Sequence, residues 1–335
     1  MKAVLCQQLG SYRDLVVGVQ PRPEPAAGEV RIRVAYASVS FALTLMVAGT
    51  YQRKSVPPFV PGAEVSGVVD AIGEGVDGFN VGEPVVAIVR DGGFAEYVSA
   101  PVHTVYKVPA ALPLDQAVCV PISYGTAYAG LIWRAKLQAG ETLLVHGAAG
   151  ALGMAAVQIG AMTGATVVAT ASSIEKIHAA LVAGAIEAID YSQRSFRDDV
   201  KRMTEGRGVD VVFDPVGGDV LNDSLRAAAV EGRIVTAGFA GGTIPQVPAN
   251  ILLVKNLSLL GLNYSEYFGW GTRDRSVEFA PRVQSMVATL FEAVMAGRLR
   301  PTISRRWPMA KVVQALDQLK DRRSIGKVVL SIGSA

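Results

Sequence analysis

The chain has 335 residues, half of them hydrophobic, and 32 basic against 29 acidic side chains leave a formal net charge of +3. That length exceeds one usual core and predicts two domains, whereas so small a charge imbalance gives no reason to expect a nucleic-acid partner. The two cysteines, Cys6 and Cys119, exclude a disulfide framework and a cysteine-rich zinc site and read as packing residues.

No apolar run is long enough for a membrane span, and the opening Met1–Cys6 passes at once into polar Gln7-Gln8, unlike a signal peptide. A soluble, cytoplasmic protein with no membrane partner is expected. The first 120 or so residues carry short strand-like runs at Val30–Ala37, Glu64–Ile72, Pro84–Ile88, Phe94–Val98 and Thr104–Val108, punctuated by Gly, Pro and Asp as in an all-β barrel.

From about Pro121 to Asn263 the texture changes. Thr142–His146, Ala165–Thr170, Ala185–Ile189, Val209–Asp214, Arg233–Ala237 and Leu257–Leu262 are apolar runs separated by helix-length stretches. Parallel neighbours need such crossovers, so the region reads as a doubly wound parallel sheet with its ligand crevice at the carboxyl ends of the strands. Those ends carry Gly147–Gly153, Ala171-Ser172-Ser173, Asp190-Tyr191, Asp214-Pro215-Val216-Gly217 and Gly238-Phe239-Ala240-Gly241. The tail from Phe279 to Arg298 reads as a helix and Val328–Leu330 as a last strand returning to the first domain. Domains are thus expected at 1–121 with 264–335, and at 122–263.

Gly147, Gly150 and Gly153, directly after the first run, are spaced for a dinucleotide-binding turn. Glycine permits the tight reversal and the close approach of backbone to pyrophosphate, and the free N–H groups of Ala151 and Leu152 at the helix start face the phosphates. An NAD enzyme places an acid about 20 residues on, at the end of the second strand. Here Ser172 and Ser173 stand there with Lys176 one turn later, so nothing repels a 2′-phosphate and NADPH is the expected cofactor. Ser172–Glu175 also matches a helix capping box, in which one serine caps while the other binds phosphate. Thr126, before the turn, is a further candidate phosphate donor, with Tyr128 read as a packing residue.

Four segments carry a family resemblance: Pro58–Val69, Gly73-Glu74-Gly75-Val76 with Gly82–Val85, Gly93-Phe94-Ala95-Glu96-Tyr97, and Val145–Gly153 with Ala156-Val157-Gln158. On these the chain resembles the medium-chain dehydrogenase/reductase superfamily, in its zinc-free quinone oxidoreductase branch, over essentially its full length. The resemblance implies an α/β protein: a GroES-like β-barrel catalytic domain, a Rossmann doubly wound parallel sheet inserted before the last segment, a nicotinamide cofactor in the cleft, and a homodimer. It adds Tyr191 and Arg322, with Arg323 beside it as the alternative, to the 2′-phosphate site; Val216, Gly238, Phe239 and Ala240, at the strand ends, are the expected lining of the cofactor crevice.

Zinc-dependent members place a histidine after the glycine of the Pro-Gly pair, where this chain has Ala63, and its three histidines, His103, His146 and His178, are scattered. Catalytic zinc needs about three protein ligands, so no metal is expected. Relatives commonly show Asn-Phe-x-Asp where this chain reads Ser40-Phe41-Ala42-Leu43, which leaves Ser40 as the only polar side chain of that pair. Tyr51 matches the tyrosine that acts in the superfamily's enoyl-thioester reductases; a packing role under the barrel mouth is its alternative. The expected activity is zinc-independent, NADPH-dependent reduction of quinones or α,β-unsaturated carbonyls, with Tyr51 and Ser40 as catalytic candidates. Enoyl-thioester reduction is the alternative within enzymes. A cofactor-binding structural or RNA-binding protein is the alternative outside them, favoured by the altered residues at 40 and 43. The apolar run Leu257–Leu262 suits edge pairing in a dimer.

Overall fold

The structure, a computed structural model, describes residues 1–192, 195–271 and 273–333. In chain order its strands are β1 (Lys2–Leu5), β2 (Val16–Val19), β3 (Glu29–Val39), β4 (Glu64–Ile72), β5 (Pro84–Ile88), β6 (Tyr97–Pro101), β7 (Val105–Lys107), β8 (Thr142–Val145), β9 (Thr166–Ala171), β10 (Glu187–Asp190), β11 (Val209–Asp214), β12 (Ala228–Thr236), β13 (Ser258–Gly261), β14 (Ile303–Pro308) and β15 (Lys327–Ser331). Among the described residues no helix is long and apolar enough to cross a membrane.

Two compact units emerge. One takes Met1–Ile122, Ser265–Met295 and the described residues from Pro301 onward; the other takes Ser123–Tyr264 with Ala296–Arg300. Residues 296–300 thus group with the second unit, where the first was expected. The Gln158 amide explains it, accepting from the Arg300 N–H at 2.7 Å and donating to the Arg300 carbonyl at 3.1 Å. Ile122, expected in the second unit, groups with the first because its N–H is held by the Glu64 carboxylate at 2.6 Å.

In the first unit one sheet runs β14-β15-β3-β4-β5-β7, with β6 also paired to β3 and a separate β1–β2 hairpin. The eleven-residue β3 is its spine, antiparallel to β4, β6 and β15. Val30, Ile32, Val34, Ala37 and Val39 bury one side of it in a core completed by Val65, Val85, Val328, Leu330 and Leu316. Strands β1, β2 and β14 are absent from the sequence reading, and β6 begins at Tyr97 where Phe94 was expected. Gly93 and Phe94 are instead spent on a crossing with Pro61 and Gly62. Gly93 N–H donates to Gly62 O at 3.0 Å and Phe94 N–H to Pro61 O at 2.8 Å. A Cβ on Gly62, whose φ is +103°, would lie 2.7 Å from the Phe94 nitrogen. Only glycine fits there.

Beside that crossing Glu64 is fully buried. Its Oε2 accepts from the Ser38 hydroxyl at 2.5 Å and pairs with Lys327 Nζ at 3.2 Å, and its Oε1 takes the Ile122 N–H. Three donors from β3, β15 and the stretch after helix Leu114–Ala117 offset the desolvation of one carboxylate.

The second unit is one sheet of order β10-β9-β8-β11-β12-β13 with every pair parallel. This is the doubly wound order of dinucleotide-binding sheets, reversing beside β8 so that a crevice opens past the carboxyl ends of β8 and β11. The six expected strands are all present; β12 starts at Ala228, earlier than expected, across an irregularity in its pairing between Val209 and Val211. His146 falls just past the end of β8. Its ring is buried, with Nδ1 2.9 Å from Thr170 Oγ1, Nε2 2.8 Å from Ser224 Oγ, and the Phe196 ring packed against it.

Burial pushes the His146 pKa down to about 4, against a coulombic pull upward from Asp214 and Asp223. The folded imidazole is therefore neutral, and the unfolded chain binds one more proton than the folded chain between the two pKa values. Stability contributed by this site is full above the unfolded value of about 6.5 and falls by up to about 3 kcal/mol as pH drops to about 4. Denaturant unfolding of the protein and of His146→Gln across that window should show a shallower pH dependence in the variant. Parallel curves would show that His146 does not set the slope.

Candidate active site

In the second unit the turn after β8 puts Gly147 at φ +59° and makes Gly150 the N-cap of helix Ala151–Met162, with no side chain capping it. A Cβ on Gly153 would lie 2.3 Å from Gly147 O, so the third glycine is required for helix and turn to touch. A Cβ on Gly150 would meet only Gly147 O, at 3.4 Å, so this glycine is less constrained by space than Gly153. The N–H groups of Ala151 and Leu152 lie in the first helical turn, where no acceptor exists within the helix.

The end of β11 closes over this turn. Asp214, fully buried, accepts from the N–H groups of Val216 at 2.7 Å and Gly217 at 3.0 Å, while its Oδ2 is buried without a hydrogen-bond partner. Gly217 and Gly218 follow with φ of +74° and +59°, and the Val216 side chain lies 3.6 Å from where a Gly147 Cβ would be. Ala240 N–H donates to Pro215 O at 3.0 Å and Gly241 N–H to Val216 O at 2.9 Å. Gly147, Val216, Gly238, half-exposed Phe239 and Ala240 are thereby assembled at one rim. Asp214 was missed as a determinant of this rim, although an Asp followed by Pro-Val-Gly-Gly is the pattern of an Asx turn.

At the end of β9, Ser173 is the N-cap of helix Ile174–Val182 and accepts from Lys176 N–H at 3.4 Å. Glu175 then stands at the second helical position and no capping box closes; Ser172, half-buried, lies outside the cap. Tyr191, after β10, is tied to the end of β9 by its N–H on Ala171 O at 3.2 Å. Ser172, Ser173, Lys176 and Tyr191 therefore occupy one corner of the sheet. Thr126 is on helix Gly125–Tyr128, which packs on helix Ala151–Met162 and is pinned by the Tyr124 hydroxyl on Gln158 Oε1 at 3.1 Å. Tyr128 packs edge-on against Trp133. These residues fit a dinucleotide: a glycine turn, an open helix start, and a strand-two corner with two serines and a lysine.

The first unit carries the remaining candidates. Ser40 is the N-cap of helix Phe41–Val47, its side chain making no capping bond, and Leu43 is buried in the core at 4% exposure. Leu43 is thus a packing residue, which accounts for an aliphatic side chain at that position. Tyr51 is half-buried in the loop after that helix, its N–H on Leu45 O at 3.1 Å. Arg322 belongs to this unit, exposed in the turn after helix Val312–Lys320 with φ +56°. Ala63 follows the Gly62 crossing, and among the described residues no group of three His, Cys, Asp or Glu side chains is gathered to hold a metal. Sequence reasoning also missed Arg53, whose partner Asp91 lies 38 residues away with no local signal linking them.

Comparison with known proteins bears on both units. Residues 26–110 match the alcohol dehydrogenase GroES-like domain and residues 151–279 the zinc-binding dehydrogenase family. A quinone oxidoreductase-like protein 2 homolog of Nematostella vectensis is 40% identical over 98% of this chain and 88% of its own length. A mycobacterial protein solved in complex with NADPH superposes with a TM-score of 0.90 at 30% identity, covering 99% of this chain and 100% of that one. The quinone oxidoreductase of Thermus thermophilus, solved alone and with NADPH, gives 0.85 at 34% identity, covering 99% and 100%. With its GroES-like first unit and its Rossmann second unit, the chain belongs to the medium-chain dehydrogenase/reductase superfamily, in the quinone oxidoreductase-like branch of its oxidoreductases.

Proposed function

We propose that this protein is a metal-independent, NADPH-dependent reductase of quinones or α,β-unsaturated carbonyls. The observation that carries the reading is Ala63: with alanine at the metal-ligand position, no metal polarises an alcohol oxygen, and the scaffold is left to deliver hydride to a partner that is already electrophilic. When bound, the nicotinamide cofactor supplies that hydride. The chain's own residues hold the pyrophosphate on the Gly147–Gly153 turn and the 2′-phosphate at Ser172, Ser173, Lys176 and Tyr191. The Val216 and Gly238–Ala240 rim shapes the crevice. In this reading Tyr51 gives a proton or a hydrogen bond to the developing enolate oxygen. Turnover with NADPH across quinones and enones, undiminished by dialysis against a strong chelator, is the expected result. Zinc-dependent activity would overturn metal independence, and cofactor binding without turnover on any member of the panel would favour a structural role.

The placement of Tyr51 in the loop after Ser40–Val47 also supports a second reading, enoyl-thioester reduction, so that class belongs in the same panel. Tyr51→Phe keeps the ring and removes the hydroxyl, and kcat should fall about 10²-fold. Unchanged kinetics on the best substrate would make Tyr51 a packing residue.

Charge-assisted bonds from Lys176 and a serine to the 2′-phosphate imply discrimination against NADH of about 10²-fold. Lys176→Glu should weaken NADPH by a similar factor and leave NADH nearly unchanged in titration calorimetry. Equal affinities for both cofactors in the unaltered protein would confine Ser172 and Ser173 to the helix start.

The second unit's sheet ends on β13, and helix Ala249–Lys255 before it exposes Leu253 (77%) and Val254 (75%). An apolar edge of this kind suits pairing with a second copy across a two-fold axis. Sedimentation at micromolar concentration should give a dimer that Val254→Asp weakens; a monomer under both conditions would refute it.

A further inference from the structure

The loop that follows helix Phe41–Val47 is polar, yet two of its side chains point inward. Arg53 is 8% exposed and Ser55 7%, while Gln52, Lys54 and Val56 are exposed and Tyr51 is half-buried. Burial alternates along this loop and puts Arg53 and Ser55 on its inner side, with Tyr51 partly inward. An arginine is rarely so buried unless its charge is matched. Here Nη1 and Nη2 meet the two oxygens of Asp91 at 3.1 and 3.4 Å, and the Ser55 hydroxyl stands 3.0 Å from both. Nη2 also lies 3.6 Å from Met46 Sδ, and the guanidinium carbon is 5.0 Å from the centre of the Trp270 ring.

These partners come from four places in the first unit: the helix before the loop, the loop itself, the stretch just ahead of the Gly92-Gly93 crossing, and the segment around Phe268–Trp270. On the near side of Tyr51 the chain is held by Thr50 and Tyr51 N–H groups on Leu45 O at 3.0 and 3.1 Å. On the far side it is held by Arg53. Among the described residues the Tyr51 hydroxyl has no hydrogen-bond partner, and these two flanks hold the chain on either side of it. A planar, bidentate, stacked guanidinium fixes orientation in a way a lysine ammonium cannot.

We propose that Arg53 is a positioning residue, which through its Asp91 pair and its stack on Trp270 sets where the Tyr51 hydroxyl stands in the substrate site. The role in catalysis rests on the function proposed above; the placement of Tyr51 does not. The readout is accordingly split. In protein labelled with 13C on its tyrosine rings, the Tyr51 signal is identified by its disappearance in Tyr51→Phe. Arg53→Lys should shift and broaden that signal, and Asp91→Asn, which removes the paired charge from the other side, should do the same.

On the best quinone, enone or enoyl-thioester, Arg53→Lys should lower kcat at least 10-fold while the NADPH dissociation constant stays within twofold. In a Tyr51→Phe background the same substitution should cost less than threefold, because the hydroxyl it positions is gone. A Tyr51 signal unmoved in both variants overturns the proposal. So do equal losses in the two backgrounds, which would show that Arg53 acts independently of Tyr51. If no substrate is turned over, the function fails, and the ring signal still decides whether Arg53 positions Tyr51. If Arg53→Lys does not fold, Asp91→Asn carries the same decision.

Discussion

The first unit depends on a single buried carboxylate. Glu64 gathers a hydroxyl from β3, an ammonium from β15 and a backbone N–H from Ile122, so residues at positions 38, 64, 122 and 327 converge on one charge. The last segment of the chain returns to a sheet whose other strands were laid down some 200 residues earlier, and Lys327 gives that return an electrostatic as well as an apolar reason. Burial of one face fixes which side chains of a long strand such as β3 point inward, and a carboxylate that must find three donors adds a point contact to that register. Removing one partner from such a pair leaves an uncompensated buried charge, at a cost of about 3–5 kcal/mol.

Next to Glu64, two sequence motifs some 30 residues apart prove to be one structural object. The N–H groups of Gly93 and Phe94 donate to the carbonyls of Gly62 and Pro61 at a crossing too close for any Cβ, and Phe94 fills the space beneath with no exposure. The glycines of the family pattern are thus explained by contact with each other. Ala63 and Glu64 follow directly from this fixed point, which sets the position of the residue after Gly62 whatever its identity. An alanine there changes the chemistry available without disturbing the frame.

Much of this was legible from the sequence where the physics is local. The inner strands of the second unit read clearly because they are buried on both faces, giving runs rich in Val and Leu, and the glycine turn follows its strand directly. Strands β1, β2 and β14 did not. Ile303–Pro308 holds Ser-Arg-Arg-Trp on a sheet edge, a polar run that becomes a strand only because β15 lies beside it in parallel. Residue roles divide the same way. Ser173 as a cap follows from its neighbours, though one position away from the box the pattern suggested. Leu43, Asp91 and Arg53 take their roles from partners far along the chain, which no window of sequence contains.

The buried histidine of the second unit has one more consequence. Ser224 gives its only hydroxyl proton to Val220 O at 2.7 Å, so toward His146 it must accept, and the imidazole must carry its proton on Nε2. Nδ1 is then a bare acceptor that takes the Thr170 hydroxyl proton. Donation therefore runs one way, from β9 through the imidazole into helix Asp219–Ala227 and out to a carbonyl, with no member able to reverse its role. A chain of this kind resists piecemeal change: Thr170→Val alone would strand Nδ1, and Ser224→Ala alone would strand the Nε2 proton. Drift at these three positions is expected to be concerted, a polar set exchanged whole for an apolar one.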